Sequence, residues 1–261
     1  MNLHSLAPLK PNRFLSIVTL LAAATIAVAA ADAAAPAKSA GALPSPDELL
    51  TKHVQALGGK AAMEKLTSRS VKASLELPSL GATTPALFVA KAPNKQWNEI
   101  EIPGFGTIHE GFDGAVGWVQ SPQGVQDKAG AELTELKRRA IFNRELKLKE
   151  LYPKLSVLRK DKVGERDAFV LQATPADGPP ELWYLDAQTS LLLRMDARLT
   201  TQFGEFDAET YFEDFREVDG VKIAFRIHRP KPSEQGFVLK ITEVKHNVPI
   251  ADAKFAKPAG Q

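Results

Sequence analysis

From Val71 onward the apolar positions recur at every second residue. In "VKASLEL", Val71, Ala73, Leu75 and Leu77 fall on one side of an extended chain and Lys72, Ser74 and Glu76 on the other, as in a strand with one wet face. Short runs follow in "ALFVAKAPNKQWNEIEI" and "TIHEGFDGAVGWVQ", punctuated by Pro93-Asn94-Lys95 and by Asp113-Gly114, and predict three or four antiparallel strands in series. Strand patterns resume at residues 155–163, 168–173, 181–185, 191–199, 206–216, 221–229 and 237–244. The clearest is "VKIAFRIHR", where Val221, Ile223, Phe225 and Ile227 alternate with Lys222, Ala224, Arg226 and His228.

Helical spacing is confined to two places. "SPDELLTKHVQALGG" offers Ser45 as N-cap, Pro46 at the first helical position, Asp47 and Glu48 in the first turn and Gly58 as the stop. Leu49, Leu50, Val54 and Leu57 make its apolar stripe, and a short second helix, "KAAMEKL", follows Gly59. "GAELTELKRRAIFNRELKLKELY" places Leu133, Leu136, Ala140 and Ile141 at helical spacing. It predicts a helix of roughly three to five turns, broken near Asn143.

In "WYLDAQTSLLLRM" the polar "DAQTS" reverses the chain between two adjacent strands, with Asp186 and Ser190 as turn formers. Leu191, Leu192 and Leu193 in succession require a strand covered on both faces. Connections are hairpin-length nearly throughout and no strand–helix–strand rhythm occurs, so a parallel sheet is disfavoured. The expected fold class is α+β, mainly β: a single curved antiparallel sheet with helices on its concave side, in one domain over residues 45–258.

Composition narrows the setting. The 261 residues are 44% hydrophobic and 25% charged, enough to build a core. Thirty-three Lys and Arg oppose 31 Asp and Glu, a net charge of +2, and the basic residues are scattered, so nucleic acid is not an expected partner. "MNLHSLAPLKPNR" carries Lys10 and Arg13 ahead of an uncharged apolar run over residues 14–31 that ends in small residues. This predicts a secretory signal peptide, residues 1–33, cut after Ala33 and followed by an Ala/Pro/Gly-rich linker, residues 34–44. The run approaches the length of a spanning helix, about 20 residues, but its alanine-filled second half and A-x-A sites favour cleavage. The chain has no cysteine, which excludes a disulfide framework, a thiolate metal site, a catalytic Cys and a lipid-modified Cys. A periplasmic or secreted location is expected.

No cluster of residues announces catalysis. Histidines stand at 4, 53, 109, 228 and 246 without a second ligand at zinc-binding spacing, and His109 and Glu110 point to opposite strand faces. Glu209, Glu213 and Asp214 alternate with aromatics as on a solvated strand. Nucleophile-elbow, P-loop and dinucleotide-binding strings are absent. Neither an enzyme nor a cofactor nor a metal is expected. Phe88, Trp97, Phe105, Phe112, Trp118 and Trp183 lie on successive strands, with Leu136 and Ile141 on the covering helix. Side chains of that size either pack a core or line a hydrophobic cavity, and alternation alone does not separate the two. Phe105, between Gly104 and Gly106, is either part of a tight hairpin or a ring free to swing at a cavity mouth.

Taken in order, "LGGKAAMEKL", "GFDGAVGWVQ", "WYLDAQTSLLLRM", "YFEDFREVDGVKIAFRI" and "NVPIADAKF" resemble the LolA/LolB-like outer-membrane lipoprotein-sorting superfamily over nearly all of residues 45–258. The resemblance implies an unclosed barrel of about eleven antiparallel strands capped by helices around a hydrophobic cavity. It also implies a non-catalytic periplasmic carrier of a lipid or lipoprotein acyl chain, with the eight large residues above as cavity candidates. Arg69, just before the first strand, is the candidate for the basic residue that holds the lid of the classical carriers closed. Implied partners are a hydrophobic ligand, an envelope lipoprotein or a membrane-bound donor or acceptor, with peripheral membrane contact. The alternative on the same fold is an envelope sensor or interaction module that binds a protein.

Overall fold

The computed structural model describes residues 43–201 and 204–259. The expected signal peptide, and the linker up to residue 42, lie outside the described residues. In chain order the strands are β1 (Ser68–Leu77), β2 (Ala82–Lys91), β3 (Lys95–Ile102), β4 (Gly106–Phe112), β5 (Gly117–Ser121), β6 (Gly124–Asp127), β7 (Lys154–Val163), β8 (Arg166–Thr174), β9 (Glu181–Asp186), β10 (Leu192–Thr201), β11 (Gly204–Val218), β12 (Val221–Lys231) and β13 (Phe237–His246).

They form one sheet in the order β6-β5-β4-β3-β2-β1-β13-β12-β11-β10-β9-β8-β7, and its neighbouring strands run antiparallel. Consecutive strands are neighbours except β6 and β7, and the long-range pairing of β13 with β1 joins the two halves. The sheet is therefore open, with β6 and β7 as its free edges. β6 is short, and β7 carries Lys154, Arg159, Lys160 and Lys162, a charged edge that discourages pairing with another chain. Thirteen strands stand where the sequence suggests about eleven. The shortest, β6, has Val125 as its one large apolar residue and leaves no alternation to detect.

Because β6 and β7 are opposite edges, the chain between them must cross the sheet. That crossing carries α3 (Gly130–Arg139) and α4 (Leu148–Leu151) over the same face that receives α1 (Pro46–Ala56) and α2 (Lys60–Met63). α1 begins as its sequence dictates: Ser45 Oγ accepts from the Glu48 N–H at 3.2 Å and Pro46 follows the cap. It ends at Gly58, whose φ of +119° suits glycine. The break expected near Asn143 is present, with Asn143 at φ +52° between α3 and α4, and its Nδ2 donates to the Met63 carbonyl at 2.7 Å.

The helices lie on a continuous apolar floor. Leu49 and Leu50 of α1 and Leu148 of α4 pack with Leu171, Trp183 and Leu185 on one arm of the sheet, while Leu136 of α3 packs on Phe112 on the other. The three consecutive leucines are accounted for by a bulge between Leu192 and Arg194. Leu191 joins Leu57 and Val221, Leu192 packs under α1 and α4, and Leu193 turns to the opposite face beside Ala168, Val170 and Tyr184. The "DAQTS" reversal is built by Asp186, whose Oδ1 accepts from the N–H groups of Gln188 at 3.0 Å and Thr189 at 2.6 Å.

Candidate ligand cavity

Between the middle of the sheet and the helical cover is a cavity of about 420 Å³, within the range of small-molecule sites. Its lining comes from β1, β2, β11, β12 and β13, with Val71, Phe88, Phe215, Ile227, Leu239 and Ile241 among the contributors. Backbone geometry at Asp214 shapes the wall. Residues three apart on a regular strand face opposite sides, yet Phe212 and Phe215 both line the cavity because Asp214 between them takes φ +52°. The acidic residues of this segment are left on the outside: Glu213 pairs with Arg226, and Asp214 with Arg216 at 2.6 Å.

Polar residues occupy one end. Arg69, Gln96, Arg139, Arg144, Glu145 and Lys222 reach the lining there, beside His53 and Asn143. His53 is buried, and its Nδ1–H donates to the Ser190 carbonyl at 2.8 Å. Burial holds its pKa below the ordinary imidazole value, against the raising effect of that hydrogen bond. Arg69 is half-buried, with its guanidinium 5.5 Å from the centre of the Phe142 ring.

The last turn of α3 holds both arms of the sheet. Arg139 donates to Glu110 of β4, and Arg138 donates to Glu181 of β9 at 3.3 Å. Both carboxylates are 0% exposed. Glu110 also meets Lys128 at 3.0 Å and the Gln96 amide at 3.4 Å. Glu181 accepts from the Tyr152 hydroxyl and the Trp183 indole, each at 2.9 Å. Burial opposes ionisation of both. At Glu110, Arg139 and Lys128 overcome it and hold the carboxyl below the usual range, whereas at Glu181 desolvation wins and the pKa is raised. Glu135, one turn before Arg139, has a buried Oε1 without a hydrogen-bond partner and is pushed up to about 7, first by burial.

Of the residues singled out in the sequence, Phe88 and Arg69 line this cavity. Trp97 and Trp118 form a cluster with Phe255, where the Trp118 indole donates to the Phe255 carbonyl at 3.0 Å. Phe112 and Leu136 pack together between β4 and α3, and Trp183 lies in the cluster under α1 and α4. Phe105 packs from the β3–β4 turn onto Ile100, Ile102 and Ile108, and Ile141 is half-buried in the segment after α3. Phe212, Phe215, Ile223, Ile227, Leu239 and Ile241 are among the other apolar lining residues, and the sequence does not mark them as cavity candidates. The alternation of "VKIAFRIHR" marks Ile223 and Ile227 as inward, but the departure from it at Asp214 leaves no mark in the sequence.

Among the described residues no group of three or more His, Cys, Asp or Glu side chains could hold a metal ion, and no helix is long and apolar enough to cross a membrane. An open antiparallel half-barrel with a helix-covered cavity is the class these features define. No family model and no curated protein matches the sequence. Solved structures do. A LolA superfamily protein from Nitrosomonas europaea superposes with a TM-score of 0.55 at 15% identity, over 82% of this chain and 99% of that one. A DUF1329 family protein from Desulfovibrio piger gives 0.55 at 15%, over 82% and 98%. A protein domain from Vibrio parahaemolyticus described as outer membrane lipoprotein-sorting gives 0.56 at 13%, over 80% and 97%. The chain has a LolA-like fold.

Proposed function

We propose that this protein is a binding or carrier protein for a hydrophobic ligand, a lipid or a lipoprotein acyl chain, held between the sheet and α1–α4. The observation that carries the reading is the apolar depth of the 420 Å³ cavity, walled by Phe88, Phe212, Phe215, Ile227, Leu239 and Ile241. Each methylene moved from water into such a space gains about 0.8 kcal/mol, so ten of them supply about 8 kcal/mol before the cost of ordering the chain. In this reading residues 1–33 act as a signal peptide and the protein works in the periplasm. An envelope lipoprotein or a membrane-bound donor and acceptor would supply and remove the ligand, and no covalent step is assigned to any residue. Phe88 contacts the ligand in this reading, and Arg69, stacked on Phe142 beyond α3, steadies the covering segment. Trp97, Phe105, Phe112, Trp118, Leu136, Ile141 and Trp183 support the walls from behind.

The test is native mass spectrometry of the protein released from its own periplasm, followed by organic extraction. A co-purifying acyl compound, with rebinding of a fluorescent fatty acid after delipidation, is the expected result. A chain that emerges ligand-free and excludes fluorescent fatty acids overturns the reading.

A further inference from the structure

Most of the polar lining gathers at one end of the cavity, with Asn98 opposite Phe88 as the exception one row in, and the strand register gives that gradient a direction. Arg69 sits opposite His246 and Ala90, and Ala90 opposite Gln96, so Arg69 and Gln96 share one row at the end of the sheet nearest the helical cover. Two residues deeper come Val71 and Phe88, then Ala73 and Ile241, then Leu75, Leu239 and Ile227. Arg69 to Leu75 spans about 20 Å at about 3.4 Å per residue. β12 runs the same way, with Lys222 near its outer end and Ile227 in the deep row.

Charge at the mouth is unbalanced. Arg139 is committed to Glu110, and Arg144 lies 3.6 Å from Glu145. Arg69 and the exposed Lys222 have no carboxylate in ion-pair range among the described residues, and Arg139 Nη1 is buried without a hydrogen-bond partner. A guanidinium withdrawn from water gains more from an anion than one in bulk solvent does. Burial lowers the Arg69 pKa, against the raising effect of Glu145 at the same mouth.

Resting on the cavity reading above, we propose that the ligand is an anionic amphiphile. Its carboxylate or phosphate head sits at the mouth against Arg69, with Lys222 and Arg144 beside it, and its chain runs down between Phe88, Ile241, Ile227 and Leu239. The chemistry shared by the two heads is a compact anion with several acceptor oxygens. A neutral glyceride or ester presents no charge to the guanidinium, so the mouth selects among lipids of equal chain length.

The test uses the delipidated full-length exported protein and three probes with the same palmitoyl chain: palmitate, 1-palmitoyl lysophosphatidic acid and uncharged methyl palmitate. Affinities are measured by displacement of a fluorescent fatty acid at about pH 8, where both anions are ionised. At least one anion binds about tenfold or more tighter than the methyl ester, the effect of one charge-assisted contact, and which anion leads distinguishes a fatty acid from a phospholipid source. Arg69→Gln removes most of that preference, weakening the two anions about tenfold more than it weakens methyl palmitate. Methyl palmitate binding as tightly as both anions overturns the head-group assignment while the cavity reading stands. So does an Arg69→Gln protein that weakens all three probes alike, the signature of a residue that merely holds the cover. Failure of all three to bind overturns the cavity reading and this one together. The wild-type comparison decides the matter even if the variant does not fold.

Discussion

Replacing Glu110 with Ala should cost about 3–4 kcal/mol of folding stability. Glu110 is 0% exposed and is the shared anchor of Arg139, Lys128 and Gln96. Removing one member of a buried ion pair typically costs about 3–5 kcal/mol because its partner is left charged in a poor solvent. Here the lower part of that range applies, since Lys128 keeps Glu132 at 3.7 Å while Arg139 loses its ion-pair partner. The carboxyl is held below the usual range, so its contribution is fully present above the unfolded-state pKa of about 4.3 and is lost as pH falls through the folded value. Urea unfolding followed by the fluorescence of Trp97, Trp118 and Trp183 measures the change. Wild type and Glu110→Ala should differ most near neutral pH and converge below about pH 4. Arg139→Met, alone and combined with Glu110→Ala, completes a cycle in which the double variant is more stable than additivity allows. A loss under about 1 kcal/mol at neutral pH, or additive single changes, would refute the claim that Glu110 and Arg139 clamp α3 to β4.

Other substitutions probe different links. Glu135→Gln should flatten the pH dependence of stability: wild type binds more protons folded than unfolded between about 4.5 and 7 and so loses stability as pH rises through that window, which pH-resolved melting of the two proteins measures. Ala at Gly58, where a Cβ would lie 2.1 Å from the Gly220 carbonyl oxygen at φ +119°, should cost about 2 kcal/mol or more by urea titration. Gly81→Ala, at φ +59° with nothing within 4 Å, should cost about 1 kcal/mol by the same measurement. Ile241→Trp, which fills the deep half of the cavity, should abolish fluorescent fatty-acid binding while costing stability only about 1–3 kcal/mol; retained binding would place the acyl chain elsewhere.

Local chemistry alone was enough for most of the elements, short strands such as β6 excepted. Ser45, Pro46 and Gly58 bound α1, the helical spacing that ends near Asn143 delimits α3, and short apolar runs bounded by turn residues mark the seven strands from β7 to β13, with the clearest alternation in β12. These signals act within a few residues of chain, so they are written in the sequence directly. The resemblance carried by the ordered motifs extended them to an unclosed barrel. What the wall of the cavity is made of was decided elsewhere. A left-handed Asp214 turns Phe215 inward beside Phe212, and a bulge before Arg194 sends Leu193 outward. Neither shift has a periodic signature, because each depends on how the strand is held by its neighbours. The ionic clasp was equally hidden: Glu110 and Glu181 are far apart in the chain, and only an open sheet whose edges are spanned by α3 brings them to adjacent arginines. Alternation tells which residues leave water; the tertiary structure decides whether they meet one another or a space that a ligand can enter.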